Sequence, residues 1–289
     1  MPRRFPRSLI TADRVRRLAT RLALALAVVA SALAASVLCA AGPAAPTAPA
    51  DPAVYPKCRD EVERLIRKDP LAFLQLARDW TAPRVTSYTG QFQKLERING
   101  ELRKLEKMHM KFRAEPFSVY LKWTSDSKKG QEAIYVRGLH KGKAQVHPAG
   151  LIGLIFRRVG IDPEGEEARK HSRRPVTMAG MSNMVTLITG QSEEARRRGD
   201  LTLTYEGVRH DGGRASYVLK RVLPDGKGYP CETLLIFIDC QYLVCVRTDA
   251  YNWNGDLISH YFYTDLVINP GLTDRDFDPD NPDYGYRLF

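Results

Sequence analysis

Cysteine and histidine are the side chains of this 289-residue chain best suited to act as nucleophiles, bases or metal ligands. The six histidines are scattered, and no two have the i, i+4 spacing that places two ligands on one helix face. The sequence also lacks the G-x-S-x-G, H-E-x-x-H, P-loop and G-x-G-x-x-G motifs. We therefore predict a protein that is not an enzyme and that uses no cofactor or metal.

The cysteines beyond the first 42 residues include no C-x-x-C pair, which argues against a zinc cluster or a thioredoxin-like site. They are Cys58, Cys231, Cys240 and Cys245. Cys240 and Cys245 either flank a turn, close enough to form a disulfide, or lie too far apart on one extended strand, and the spacing allows both. Cys231 and Cys245 lie in apolar strand-like segments, where we expect burial to raise the thiol pKa.

An Asp-rich stretch, residues 274–283, resembles a calcium-binding loop only superficially. An EF-hand loop that starts at Asp274 would need Gly and Glu where this chain has Pro279 and Gly285. We predict instead that Thr273 and Asp276 form a short capped turn, followed by a solvated tail that is stiffened by prolines.

The chain begins with the layout of an exported protein. Seven Arg and one Asp among the first 42 residues supply +6 of the net charge of +11, so the basic balance does not indicate nucleic-acid binding. An uncharged run, residues 22–42, follows the Arg-rich stretch. Its small residues favour a cleaved signal peptide, whereas its length suits a retained membrane anchor. We predict a signal or anchor over 1–42, an Ala/Pro-rich linker over 43–56, one domain over 57–289, and a location in the periplasm or cell envelope.

Two helices are predicted at the start of the domain. Cys58, Val62 and Ile66 form one apolar stripe with Leu65. Asp69-Pro70 then has the pattern of an N-cap and first-turn proline, which predicts a second helix through about residue 79.

The period changes to two from residue 85, which predicts the strands of an antiparallel meander. Residues 151–159 and 182–198 interrupt the meander with helical patterns, and strands resume over 201–208, 215–223, 232–238, 243–251 and 257–269. Asn254-Gly255 predicts a two-residue hairpin turn. The fold class is therefore α+β: one curved antiparallel sheet of nine or ten strands, covered by helices, with segment 151–199 lying across its apolar face.

Several segments of the chain resemble the bacterial domain of unknown function 1571 family: YTGQFQKLERING (88–100), EPFSVYLKW (115–123), QEAIYVRG (131–138) and YFYTDLVINPGLTDRDFDPDNPDYGY (261–286). The family has no assigned activity. The resemblance implies an open half-barrel similar to the LolA/LolB lipoprotein carriers, which hold acyl chains on a concave apolar face.

Alternating apolar side chains on two consecutive predicted strands are the candidate lipid-binding residues. If the strands pair, both sets lie on the same face of the sheet. The candidates are Met108, Met110, Phe112, Phe117, Val119, Leu121 and Trp123. A filled core requires the same residue types, so two interpretations stay open.

A cationic outer surface is also predicted in the first half of the domain, formed by Lys104, Lys107, Lys111, Arg113, Lys122, Lys128, Lys129, Lys141 and Lys143. Such a surface is either simply solvated or in contact with an anionic membrane or polymer. The sequence thus predicts a non-enzymatic envelope protein that binds a lipid or lipidated partner. The alternative is a structural, protein-binding or polyanion-binding envelope protein with a filled core.

Overall fold

The computed structural model describes residues 51–286, apart from residues 52, 126 and 127. The predicted signal or anchor and most of the predicted linker lie outside the described residues. Within the described part, Ala53 is buried, and its carbonyl accepts a hydrogen bond from the Trp80 indole at 3.2 Å. No helix in the described part of the chain is long and apolar enough to cross a membrane.

Five α-helices are described: α1 (Arg59–Lys68), α2 (Pro70–Arg84), α3 (Gly150–Ile155), α4 (Glu166–Arg169) and α5 (Met181–Arg197). Asp69 caps α2 as predicted, because its carboxylate accepts the backbone N–H groups of Leu71 and Ala72 at 3.1 Å. Helix α2 continues past the predicted end to Arg84. Its last turns are held by the buried Thr81, whose hydroxyl donates to the carbonyl of Leu243 at 3.2 Å.

Twelve strands form one antiparallel sheet, which confirms the predicted fold class. They are β1 (Ser87–Ile98), β2 (Glu101–Leu102), β3 (Glu106–Arg113), β4 (Ser118–Trp123), β5 (Glu132–Val136), β6 (Ala144–His147), β7 (Val159–Ile161), β8 (Thr202–Asp211), β9 (Arg214–Val222), β10 (Thr233–Asp239), β11 (Cys245–Tyr251) and β12 (Leu257–Ile268). The order across the sheet is β7-β6-β5-β4-β3-β1-β12-β11-β10-β9-β8, with β2 paired to β1. The sheet is open, with β7 and β8 at its two edges.

The segment predicted to lie across the apolar face, 151–199, does so only in part. Helix α5 packs on the sheet and buries Met181, Val185 and Ile188. Residues 150–156, by contrast, expose most of their apolar side chains, and β7 extends the edge of the sheet. The helical pattern predicted over 151–159 was correct only as far as Ile155, since Val159 begins β7. The pattern alone does not say whether a short apolar helix is covered.

The predicted two-residue turn at Asn254-Gly255 is a longer loop. Strand β11 ends at Tyr251 and β12 starts at Leu257, and of the two turn residues only Gly255 has a positive φ, 80°. The Asn252 side chain organises the loop, since its carbonyl oxygen accepts the backbone N–H groups of Asn254 and Asp256 at 3.0 and 2.8 Å.

The main core lies between the helices and the concave face of the sheet. One part joins α1, α2 and α5 to strands β9–β11, with Phe73 packed edge-on against Tyr217 at 5.5 Å between ring centroids. A second part lies under the start of α5 and includes Tyr88, whose hydroxyl accepts the backbone N–H of Met181 at 3.2 Å. These contacts fix α5 on the sheet.

The Asp-rich tail is packed against the convex face, so the prediction of a solvated tail was wrong. The predicted capped turn is present: Thr273 and Asp276 form a capping box at the start of a 3₁₀ helix, Asp274–Phe277. Beyond it, Tyr284 stacks on Tyr120 at 4.3 Å between centroids. The aromatic side chains of the tail bury Tyr120, Ile134 and Val136 on the outside of β4 and β5. These outward-facing apolar residues supply a second core.

Candidate functional site

A pocket of about 780 Å³ lies between the concave face of the sheet, helix α5 and the segment 161–180. Its size falls within the range of small-molecule and cofactor sites, roughly 300–1,000 Å³. We refer to it as the sheet pocket. Strands β1, β3, β4 and β5 supply its floor on one side, and β9–β12 supply it on the other.

Strand pairing brings four of the seven candidate residues together on this floor. Met108 pairs with Trp123 and Met110 with Leu121 across β3 and β4, and all four line the pocket. Phe92, on the neighbouring strand, pairs with Met108 and extends the same apolar surface. The predicted alternation therefore did place these side chains on one face.

The other three candidates do not line the pocket. Phe112 stacks on Tyr88 at 4.9 Å and meets Phe117 edge-on at 5.6 Å, in a fully packed part of the core. Val119, which pairs with Phe112 across the hairpin, is completely buried in the same cluster. One face of one hairpin thus contains both a filled core and a pocket floor.

A buried carboxylate, which the sequence pattern did not identify, lies at the edge of the pocket floor. Glu96 is buried and accepts hydrogen bonds from the Tyr261 hydroxyl and from the backbone N–H of Arg173, the latter at 3.2 Å. The Lys94 ammonium lies 3.5 Å away. Burial, together with the Glu96 charge, raises the pKa of Tyr261 above its ordinary range. Glu96 therefore has partners within the protein.

Arg221 is the largest side chain in the described part of the chain that is almost fully buried, with 1% of its surface exposed. It lines the sheet pocket from β9, where Tyr217, Leu219 and Arg221 alternate toward the helices. An arginine in phase with buried apolar residues was the sequence signal that could have identified it. Burial lowers its pKa from the ordinary value.

The end of α4 and the segment that follows it add further positive charge to the pocket wall. Arg169, Arg173 and Arg174 line the pocket, and all three are exposed on their other sides. Glu167, an acid of the same wall, pairs with Lys170 at 3.2 Å. The pocket therefore combines an apolar floor with a cationic wall.

The four cysteines of the described part are free thiols, and burial suppresses ionisation of Cys240 and Cys245. Cys240 and Cys245 flank the turn between β10 and β11, which is one of the two arrangements that the sequence allowed. Burial and the nearby Asp239 raise the pKa of Cys240 to about 11. Burial also raises the pKa of Cys245, as predicted. Such thiols are poor nucleophiles at neutral pH.

A histidine and aspartate pair lies on the opposite face of the sheet. Asp249 accepts from His260 at 2.5 Å and from Arg247 at 2.8 Å, and Arg247 also reaches Asp211 at 3.1 Å. Burial alone would raise the pKa of Asp249, but the hydrogen bonds from His260 and Arg247 outweigh it and lower that pKa. Asp249 alternates along β11 with Thr248, which lines the pocket. The pair is therefore part of an ion network on the convex side.

The tail neutralises part of the predicted cationic surface. Lys111 contacts Asp276 at 2.7 Å and Arg113 contacts Asp274 at 2.8 Å. Asp274 and Asp276 of the tail thus have cationic protein partners. Within the described ranges, no group of three or more His, Cys, Asp or Glu side chains is arranged to hold a metal ion.

Comparison with solved structures gives distant similarity. The chain is similar to MucB, with 14% identity over 72% of this chain and 62% of that chain, and a TM-score of 0.44. It is also similar to the Mycobacterium tuberculosis lipoprotein LppX, with 15% identity over 73% and 100% of the two chains and a TM-score of 0.42. A LolA superfamily protein from Nitrosomonas europaea matches with 10% identity over 72% and 97% of the chains and a TM-score of 0.34. This chain therefore spans about three fifths of the length of MucB.

No curated protein matches the sequence. A family model does match it, over residues 85–286, and this range contains every strand of the described sheet. The matched range covers more than half of the chain and includes all four segments on which the resemblance was based. Helices α1 and α2 precede it. The chain belongs to the family described as protein of unknown function (DUF1571).

Proposed function

We propose that this protein is an exported, non-enzymatic envelope protein that binds a lipid, or the acyl chain of a lipidated partner, in the sheet pocket. The observation that carries the proposal is the pocket of about 780 Å³ over the apolar floor of Met108, Met110, Leu121 and Trp123. Two methionines on one strand support it, because flexible thioethers adapt to irregular apolar ligands.

The energetics of acyl-chain burial are favourable. Each buried methylene contributes about 0.8 kcal/mol, so about ten of them would contribute about 8 kcal/mol. Association costs at least about 4 kcal/mol in lost translational and rotational freedom. Burial of most of one acyl chain is therefore sufficient for measurable binding.

The test is a titration of the purified protein with a fluorescent fatty acid, together with mass spectrometry of an organic extract. Met110→Asp should weaken probe binding, because it places a carboxylate on the pocket floor. Lys107→Asp is the matched control, since Lys107 is exposed on the outer face of the same strand. A folded wild-type protein with neither probe binding nor extractable lipid would favour the alternative of a filled core.

A second feature, the exposed apolar segment 150–156, supports contact of the protein with an anionic membrane surface. Leu151 and Ile155 are 79% and 74% exposed, and Ile152, Leu154 and Phe156 are also exposed. Lys141, Lys143 and Arg158, which are exposed on neighbouring segments, suit anionic headgroups. Ile152 also lines the sheet pocket. The proposed membrane contact and the pocket therefore share an edge, which suits transfer of a lipid between them.

Vesicle flotation tests this contact. The protein should bind vesicles that contain phosphatidylglycerol more strongly than vesicles of phosphatidylcholine alone, and high salt should reduce the difference. A Leu154→Asp/Ile155→Asp variant should lose binding at every salt concentration. Lys141→Glu/Lys143→Glu should reduce only the preference for anionic vesicles. Unchanged flotation of both variants would exclude this segment as the contact.

Export is proposed from the Arg-rich leader and its uncharged run. A reporter that works only outside the cytoplasm, fused after residue 55, should be active, and a leaderless fusion is its control. The mass of the mature chain distinguishes cleavage from a retained anchor. A reporter as inactive as the leaderless control would contradict export.

A further inference from the structure

The buried guanidinium of Arg221 has no charged partner in the described part of the chain. No carboxylate lies within 4.0 Å of it there. Its contacts are all with uncharged groups: the Gln191 side-chain oxygen at 3.3 Å, the Ser192 hydroxyl at 3.4 Å, the Ile188 carbonyl at 3.5 Å and the Cys231 sulfur at 3.9 Å. Its buried Nε has no hydrogen-bond partner.

Such an arrangement is costly. A charge removed from water requires a counter-charge or a full set of hydrogen bonds, and arginine stays protonated in proteins. The other buried charges in the described part of the chain meet that requirement, as two examples show. Asp239 pairs with Arg214 at 2.6 Å, and Glu106 pairs with Lys128 at 2.5 Å. Arg221 is the exception among them, and it lines the sheet pocket.

The register of the sheet places Arg221 at one end of the apolar floor. Arg221 pairs with Leu234, Leu234 with Ala250, and Ala250 with Ser259 across β9, β10, β11 and β12. All of them line the pocket. An amphiphile with its polar end at Arg221 would therefore lie with its chain over this row, toward the floor formed by β1, β3 and β4.

We propose that Arg221 binds the anionic headgroup, a carboxylate or a phosphate, of an amphiphile whose acyl chain occupies the sheet pocket. The inference rests on the proposed function and names the ligand class. The planar guanidinium fork matches two oxygens of either anion, and an anion would supply the missing counter-charge and a partner for Nε. Arg173 and Arg174 on the pocket wall add attraction of the same sign.

The experiment compares three ligands of the same chain length: palmitic acid, palmitoyl lysophosphatidic acid and the neutral monopalmitoylglycerol. Each displaces a fluorescent fatty acid from the full-length protein. The wild type should bind at least one anionic ligand about tenfold more tightly than the neutral one, as expected for a charge-assisted pair in a desolvated site. The preferred anion then identifies the headgroup as carboxylate or phosphate. Inorganic phosphate alone should not displace the probe, because it lacks the chain.

Arg221→Gln should remove the preference for the anion and leave binding of the neutral ligand nearly unchanged. Arg221→Lys should keep part of it, since an ammonium retains the charge without the fork. Lys220→Gln is the matched control: it removes one positive charge from the next position of the same strand, which faces the other side of the sheet. The control should bind as the wild type does.

The outcomes separate the two proposals. If no ligand binds the wild type, the proposed function fails. If all three bind equally, or if Arg221→Gln keeps the anion preference, the pocket remains a lipid site and the role of Arg221 is refuted. Displacement by inorganic phosphate would also refute it, in favour of a site for the free anion. If Arg221→Gln does not fold, equal binding of the three ligands by the wild type still refutes the role, and Arg221→Lys still tests the contribution of the guanidinium fork.

Discussion

The indole N–H of Trp123 donates a hydrogen bond of 3.1 Å to the carboxylate of Glu106. The same carboxylate pairs with Lys128 at 2.5 Å and Lys94 at 3.3 Å, and all three partners line the sheet pocket. Glu106 lies in phase with Met108 and Met110 on β3, and it thereby positions three pocket side chains at the end of the floor.

This carboxylate should make stability depend on pH. Burial alone would raise the pKa of Glu106, but Lys94, Lys128 and Trp123 outweigh it and lower that pKa. Its contribution is therefore complete above the unfolded-state pKa and is lost as the pH falls through the lower folded-state pKa. Glu106→Gln should reduce the free energy of unfolding at neutral pH by about 1–3 kcal/mol. In urea denaturation the difference between variant and wild type should shrink below about pH 4, and a constant difference would contradict the assignment.

Filling the pocket should weaken binding and preserve the fold. Ala133 lines the pocket and pairs with Leu121 across β4 and β5. Ala133→Trp places an indole in the space that we assign to the acyl chain, and it should weaken binding of the fluorescent fatty acid by about tenfold or more. Lys107→Trp, on the exposed face, is the control. Wild-type affinity in the Ala133→Trp variant, with native circular dichroism, would place the ligand elsewhere.

The tail should contribute substantially to stability. Tyr284 stacks on Tyr120 and donates its hydroxyl hydrogen to the carbonyl of Asp276 at 2.8 Å. Tyr284→Ala should lower the free energy of unfolding by about 2–4 kcal/mol, because it opens the outer core. Asp280→Ala, at an exposed position, should change it by less than about 0.5 kcal/mol. Equal effects of the two substitutions in urea denaturation would show that the tail does not stabilise the sheet.

Two glycines near helix α5 should respond to alanine in opposite directions. Gly180 has a φ of 113°, and a Cβ there would lie 2.6 Å from the Phe112 ring, so Gly180→Ala should destabilise the protein by about 1–3 kcal/mol. Gly190 lies within α5, and no atom lies within 4 Å of a Cβ built there. Gly190→Ala should therefore stabilise the protein by up to about 1 kcal/mol. Thermal unfolding of both variants tests this pair, and shifts of the same sign would contradict it.

Local chemistry was sufficient to predict most of the secondary structure. The period-two pattern of β3 and β4 identified which side chains share a face, because successive side chains of a strand point to opposite sides. The Asp69 cap and the Thr273–Asp276 capping box were predictable for the same reason: their hydrogen bonds join residues within one turn. The shortest strands, β2, β6 and β7, were not predicted, since two to four residues are too few to show a period.

Burial at each position was decided only by the tertiary structure. Met110 and Phe112 have the same pattern in the sequence, yet one lines a pocket and the other lies in a filled core, because Gly180, immediately before α5, lies against the Phe112 ring. The apolar residues 150–156 were expected to be covered and are exposed, and the polar tail was expected to be solvated and is packed. The sequence by itself determined which residues alternate, cap and turn. Which of those surfaces meet, and where Arg221 is left without a counter-charge, depends on contacts between residues far apart in the chain.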